Sequence, residues 1–232
     1  MPHPDSITSS ASDDYQRATQ PDPEGCGKDG DDGGFHAGPL SRFPSFTHAL
    51  PACMFLCVCA AVTIYAAAYK SSEQLMVSGD SLFARREYWR LFTSLLVHSG
   101  VSHLLANAPV LLVFGWMLKA YFGAVVFPVI SLAVGMVTNL IVATLYPPYV
   151  YLCGASGMGY GMVGIWLVLY VRHDIRYSVS MRLFRAAGFS LIMLIPSGLD
   201  PNVSYLAHAG GFILGIIAGC SLIPLRTPRE PS

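Results

Sequence analysis

Gly154-Ala155-Ser156-Gly157-Met158-Gly159-Tyr160-Gly161, continued without a charge to Val171, is the stretch on which the fold turns. The apolar run it opens, residues 155–172, is close to the roughly 20 residues an α-helix needs to cross a hydrocarbon core of about 30 Å. A serine at the mouth of such a helix points to function, because polar side chains in a bilayer are costly. A second apolar run, residues 206–224, opens in the same way with His208 and carries Gly211, Gly215 and Gly219.

Working outward, the composition agrees with a membrane solvent. Hydrophobic residues make up 53% of the chain and charged residues 12%, and the charges gather at the termini and between apolar runs. The formal net charge is zero and there is no basic stripe, which argues against nucleic acid as a partner. The first 46 residues are of another material, rich in Asp, Gly, Ser and Pro, and read as a disordered acidic cytosolic tail. Their acidity argues against an organellar transit peptide, and no apolar run follows Met1 closely enough for a cleaved signal. Residues 47–225 form the membrane domain and 226–232 a short cytosolic tail.

Six apolar stretches are expected to span, at about 49–69, 99–118, 122–146, 155–172, 184–200 and 206–224, giving an all-α bundle of six transmembrane helices. The fifth has the weakest helical signal, with Ser190, Pro196 and Gly198 in it and Arg182 and Arg185 setting its start. Lys70 to Leu96 is too long for a turn and too charged for a span, so it reads as an ordered interfacial loop. Lys119, Arg172, Arg176, Arg182, Arg185, Arg226 and Arg229 fall on one side of the membrane, which places both termini in the cytosol by the positive-inside rule. The arginines of the first loop are the exception. In this topology spans two, four and six run inward from the outer face, bringing His98 to Asn107, Ser156 and His208 to one depth.

That convergence carries the chemistry. A serine hydroxyl needs an adjacent base to act as a nucleophile, and His208 is the histidine at the start of the sixth span. At about 100° per residue, Ser156, Gly157, Tyr160, Gly161 and Gly164 share one arc of the fourth span, and His208, Gly211, Gly215 and Gly219 share one face of the sixth. Glycine faces let helix backbones approach closely in lipid, which would bring the hydroxyl to the imidazole. Such stripes are by themselves packing devices, and a lone Gly-x-Ser-Gly is a weak pattern. The third polar cluster adds weight: His103 and Asn107, four apart, project from one helix face. With the backbone N–H of Ser156 they are candidates to stabilise an oxyanion. A metal site built on His98, His103, Asn107 and His208 is the alternative, disfavoured because no carboxylate or cysteine joins them at a metal-ligand spacing. His98, five residues before His103, reads as a loop anchor.

Taken together, these motifs resemble those of the rhomboid intramembrane serine proteases. The likeness covers roughly residues 48–224 and rests on Glu87 with Trp89-Arg90, on His98, His103 and Asn107, on Gly154-Ala155-Ser156-Gly157 with Tyr160, and on His208 with Gly211 and Gly215. It implies a six-helix bundle with a water-filled cavity open to the outer side and a Ser156–His208 dyad lacking a carboxylate third member. It further implies that Tyr160 packs on the His208 ring, that His103 and Asn107 serve the oxyanion, and that Glu87, Trp89 and Arg90 stabilise a loop in the outer leaflet. Substrates would be single-span membrane proteins cleaved near the outer face, with no cofactor and no metal. The fifth span around Phe189 to Leu194 and the loop Pro196 to Ser204 would form a gate and cap. A client-binding member of the same fold would have lost Ser156 or His208, and a channel would carry polar groups across the whole bilayer.

Other features carry less. Cys53, Cys57, Cys59, Cys153 and Cys220 read mostly as packing thiols, with Cys26 in the tail. Asn139 reads as an interhelical hydrogen-bonding residue, and the Asn202-Val203-Ser204 sequon as unused because of its closeness to the membrane. The absence of a transit peptide favours a plasma, secretory-pathway or bacterial inner membrane over a mitochondrial one.

Overall fold

A chain segment in hydrocarbon must satisfy its own backbone N–H and C=O groups, and helices are how a segment does so alone. The structure, a computed structural model, describes residues 40, 42–198, 203–225 and 227–228, all within one unit, His36–Ser232. Among them helix is the dominant regular structure, with a single isolated bridge between Val77 and Leu152. The α-helices are α1 (Leu50–Ala68), α2 (Ser72–Leu75), α3 (Arg90–Leu96), α4 (Val101–Phe122), α5 (Ser131–Leu145), α6 (Ser156–His173), α7 (Val179–Gly198) and α8 (Tyr205–Leu222). The expected tail, residues 1–46, lies outside the described residues up to 39, as do Asn202 of the sequon, Cys26, Arg226 and Arg229.

Five helical runs among the described residues are long and apolar enough to cross a membrane: Phe46–Ala68, Val101–Phe122, Val125–Leu145, Val179–Pro196 and Tyr205–Leu222. The helix of the quoted motif, α6, is not one of them. Its position explains the lower hydropathy. It packs against α4, α5, α7 and α8, and ten of its 18 residues are buried, four of them glycines. A helix walled by protein can exchange greasy bulk for close backbone approach. The neighbouring α7 is the opposite case, with only 11% of its apolar window buried.

Element boundaries follow local chemistry. The fifth span begins at Val179, so Arg182 and Arg185 lie inside the helix and do not set its start. Arg182 reaches back to the carbonyls of Tyr177 and Val171 at 2.6 and 2.8 Å, and Arg185 lies over the Tyr177 ring at 4.3 Å. The third span opens with a wide helical turn, Val125–Ile130, after Gly123 breaks the chain at φ 89°.

The α6–α8 seam sets the architecture around the site. A Cβ added at Gly211 would meet the Gly157 carbonyl carbon at 2.9 Å, and one at Gly215 would meet Gly161 at 2.8 Å. Hydrogen there lets the two backbones touch. Away from the seam, Phe114, Phe122 and Phe127 are fully buried, and Phe114, Tyr121 and Phe122 surround Trp166 with ring centroids 6.0–6.5 Å away. Trp166 is therefore a core residue, whereas Trp89 is 52% exposed on the first loop.

The structured edge of the bundle reaches back beyond residue 46. Trp116 Nε1, Tyr121 Oη and Arg176 Nη2 donate to the carbonyls of Ser45, Arg42 and Leu40 at 3.0, 2.6 and 3.3 Å. Arg176 is itself fixed by a two-point ion pair with buried Asp174, at 2.7 and 2.8 Å. The cysteines divide: Cys59 is buried with Sγ 3.8 Å from the Leu95 carbonyl, while Cys53, Cys57 and Cys220 are exposed on the helix bundle and are not packing thiols.

Candidate active site

The first loop borders the site at Met76, and one arginine organises the loop. Arg90 is 5% exposed; it pairs with Glu87 at 2.7 Å and donates to the carbonyls of Glu73 and Met76 at 2.6 and 3.0 Å. Thr93 adds a bond to the Leu75 carbonyl at 2.9 Å, and the Arg90 guanidinium sits 5.0 Å from the Trp89 ring centroid. The carbonyls of the short helix α2 thus end on side chains of α3. That positions Met76 and Val77, and Val77 pairs with Leu152 on the approach to Ser156.

Ser156 stands at the first position of α6, at the end of a turn held from three directions. Gly154 adopts φ +95°, a conformation suited to glycine, and its N–H donates to the Ser94 carbonyl at 2.8 Å. The Ala155 N–H donates to His98 Nε2 at 3.3 Å. His98 is itself held by its backbone N–H, which donates to Thr63 Oγ1 on α1 at 3.1 Å. Asn139 on α5 donates to Ser94 Oγ at 3.0 Å, the interhelical hydrogen bond expected of it. As the first residue of a helix, Ser156 has a backbone N–H with no carbonyl a turn earlier to accept it.

His208 lies near the start of α8 and is 5% exposed. Its ring stacks on Tyr160 with centroids 4.0 Å apart and planes 13° apart, and Tyr205 meets it edge-on at 6.4 Å. The α8 N-terminus is fixed by Ser204, which accepts from Ala207 N–H and bonds the Tyr146 hydroxyl at 3.0 Å. His208 Nε2 is buried without a hydrogen-bond partner among the described residues. Tyr160 is one helical turn beyond Ser156, so the stack puts the imidazole against the face of α6 that carries the hydroxyl.

A cavity of about 250 Å³ is lined by Ser156, Gly154, Gly157 and His103, with Asn139, Ser99 and Cys153 among its other walls. His103 Nδ1 bonds Ser99 Oγ at 3.0 Å, which leaves Nε2 as the ring nitrogen nearest the turn; a Cβ at Gly154 would lie 3.0 Å from it. Asn107 is 2% exposed and donates to the His103 carbonyl at 3.2 Å; neither it nor His208 is among the residues lining this cavity. His98 and His103 meet edge to face at 5.1 Å. Sequence reasoning did not find Met76, Ser99 or Cys153 in the cavity wall; they come from the first loop, the turn before α4 and the segment before α6, and no local pattern encodes how these three segments meet.

Five helical runs among the described residues that are long and apolar enough to cross a bilayer define an integral, multi-pass membrane protein. The Rhomboid domain family model matches residues 85–225, and the chain belongs to the rhomboid family. Among its relatives, Rhomboid protease GluP of Bacillus subtilis (strain 168) is 32% identical over 160 residues, 66% of this chain and 30% of that protein. RHOMBOID-like protein 1 of Arabidopsis thaliana is 30% identical over 135 residues, 58% of this chain and 34% of that protein. Rhomboid-related protein 2 of Mus musculus is 24% identical over 206 residues, 73% of this chain and 64% of that protein. The chain therefore spans about a third of the length of the first two.

Proposed function

We propose that this chain is an intramembrane serine endopeptidase in which Ser156 is the nucleophile and His208 the general base. The observation that carries the reading is the Tyr160–His208 stack at 4.0 Å across the α6–α8 seam, with Ser156 at the mouth of the same helix and in the wall of the polar cavity. An imidazole whose Nε2 has no hydrogen-bond partner among the described residues, Ser156 included, is suited to accept the Ser156 proton as the hydroxyl attacks a peptide carbonyl. The proton then passes to the leaving amine, and water hydrolyses the acyl-enzyme by the same route. Stacking on Tyr160 supplies the orientation that a carboxylate gives in a triad.

The charge that develops on the carbonyl oxygen would be met by His103 Nε2, the Ser156 N–H and Asn107. One Asn107 amide hydrogen is given to the His103 carbonyl, and the second is left to donate. Removing one such donor costs on the order of 100- to 1,000-fold in rate. In this reading α6 also crosses the membrane, as the fourth of six spans, both termini are cytosolic, and the cavity faces the outer side. Substrates are single-span membrane proteins whose helix unwinds at that depth. The weakly packed α7 is the route by which they approach.

The test is labelling of the detergent-solubilised protein by a fluorophosphonate, comparing wild type with Ser156→Ala and His208→Ala. Labelling of the wild type, lost in both variants, is the expected result. A folded wild type that does not label would overturn the assignment of an activated serine.

A further inference from the structure

A second cavity lies at the opposite end of α6 from Ser156, and the proposed chemistry makes no use of it. It is an open, almost wholly apolar groove of about 590 Å³ between α6, α7 and α8, with walls including Val168, Val171, Leu183 and Ile216 and with Arg172 and Arg182 also among its lining residues. Its size falls within the range of roughly 300–1,000 Å³ typical of small-molecule sites. Arg172 and Ser156 are 16 residues apart, which at about 1.5 Å per residue puts this groove roughly 24 Å along the helix from the serine, near the other membrane surface.

The charges around the groove are one-sided. Arg172, Arg176, Arg182 and Arg185 gather where α6 passes into α7, and Asp174, the carboxylate between α6 and α7, is taken by Arg176 at 2.7 Å. Arg182 is aimed rather than loose, because its Nε and Nη1 are held by the carbonyls of Tyr177 and Val171. Arg172 is exposed and has no partner among the described residues. An apolar trough with two arginines among its lining residues, where the acid between α6 and α7 is already paired with Arg176, matches a molecule that is apolar along its length and anionic at one end.

We propose that this groove binds one anionic glycerophospholipid, with an acyl chain between Val168, Leu183 and Ile216 and the phosphate held by Arg172 and Arg182. An exposed arginine at a membrane edge that only snorkels to water attracts anionic headgroups without fixing their number. This site would hold one and saturate. Because α7 is otherwise loosely covered, the lipid fills the wedge between α7 and the rest of the bundle.

Native mass spectrometry of the full chain tests this, with phosphatidylglycerol and phosphatidylcholine of identical acyl chains added to the detergent-solubilised protein. Wild type is expected to retain one phosphatidylglycerol in preference to phosphatidylcholine. Arg172→Gln lowers phosphatidylglycerol affinity about fivefold, the worth of one arginine near an anionic headgroup, and leaves phosphatidylcholine unchanged. Leu183→Trp, which places an indole in the trough from an already exposed position, lowers the affinity for both lipids. Thermal melts of both variants establish that they are folded. Equal retention of the two lipids by wild type, or an undiminished preference in Arg172→Gln, overturns the proposal, as does a non-saturating ladder of bound lipids in place of one.

Discussion

Gly211→Ala is the perturbation whose effect follows most directly from the geometry. The added methyl group would lie 2.9 Å from the Gly157 carbonyl carbon and 3.1 Å from its Cα, against 3.4 Å for the near edge of ordinary contact, and the Gly157 carbonyl oxygen is closer still. The obstacle is backbone on both sides, so no rotamer change relieves it, and α6 and α8 must part by at least about 0.5 Å (3.4 less 2.9). Overpacking of this kind costs about 1–3 kcal/mol. The displacement falls three residues from His208 and one from Ser156. Since a misplacement of about 1 Å at a reacting centre costs on the order of 100-fold, the fluorophosphonate labelling rate is expected to fall by roughly 10- to 100-fold. Gly210→Ala is the internal control: one residue earlier, its methyl group would meet only Thr138 Cγ2, at 3.9 Å. That variant is expected to label at the wild-type rate and to melt no lower, since alanine is preferred to glycine in a helix by up to about 1 kcal/mol. Measuring both variants by thermal melt and labelling rate in one detergent decides the matter. Equal labelling by Gly211→Ala and Gly210→Ala would refute the claim that the seam sets the distance between the two residues.

Two further outcomes are expected. Arg90→Gln removes the pairing with the partly exposed Glu87 and the donors to the Glu73 and Met76 carbonyls; leaving a buried acceptor unpaired costs about 1–3 kcal/mol, read as a lower melting temperature together with faster proteolysis between residues 70 and 89. At the other end, burial raises the Asp174 carboxyl, but the hydrogen bonds from Arg176 and Tyr170 outweigh it and hold the group below its ordinary value. A folded-state pKa below the unfolded one, near 3.9, gives stability that is present above that value and lost as pH falls through the folded one. The wild-type melting temperature should therefore drop on acidification below about pH 4, and a melt series of Asp174→Asn should lack that component.

How much was legible in advance depended on whether the signal was periodic. The seam between α6 and α8 could be read from glycines at three- and four-residue spacing, because a helix converts that spacing into a face. The stack of Tyr160 on His208 was expected from family resemblance and not from periodicity, since no spacing within one helix specifies a contact with another. The boundaries of the fifth span were misplaced for a physical reason: Arg182 and Arg185 lie inside α7, with their charges led back to carbonyls and to the Tyr177 ring. The hydropathy of α6 shows the converse. Its glycines lower its apolar score because they are spent on close packing, so the helix at the centre of the bundle has the weaker membrane signature.

The contribution of the first loop to the site follows from tracing its hydrogen bonds. Arg90 fixes α2 and Met76, Ser94 on the same short helix accepts the Gly154 N–H through its carbonyl, and its hydroxyl accepts from Asn139. His98, just beyond that helix, accepts the Ala155 N–H. The two residues before Ser156 are thus held by side chains and backbone from one short segment, Arg90 to His98, and α5 steadies that segment. A polar turn buried among apolar helices would otherwise carry unsatisfied N–H groups at a cost of about 1–3 kcal/mol each. The same bonds that remove this penalty also fix the direction in which α6 begins, and with it the Ser156 hydroxyl. The loop and the turn before Ser156 are therefore one structural unit, and disturbance of Arg90 should reach Ser156 without any change in the α6–α8 seam.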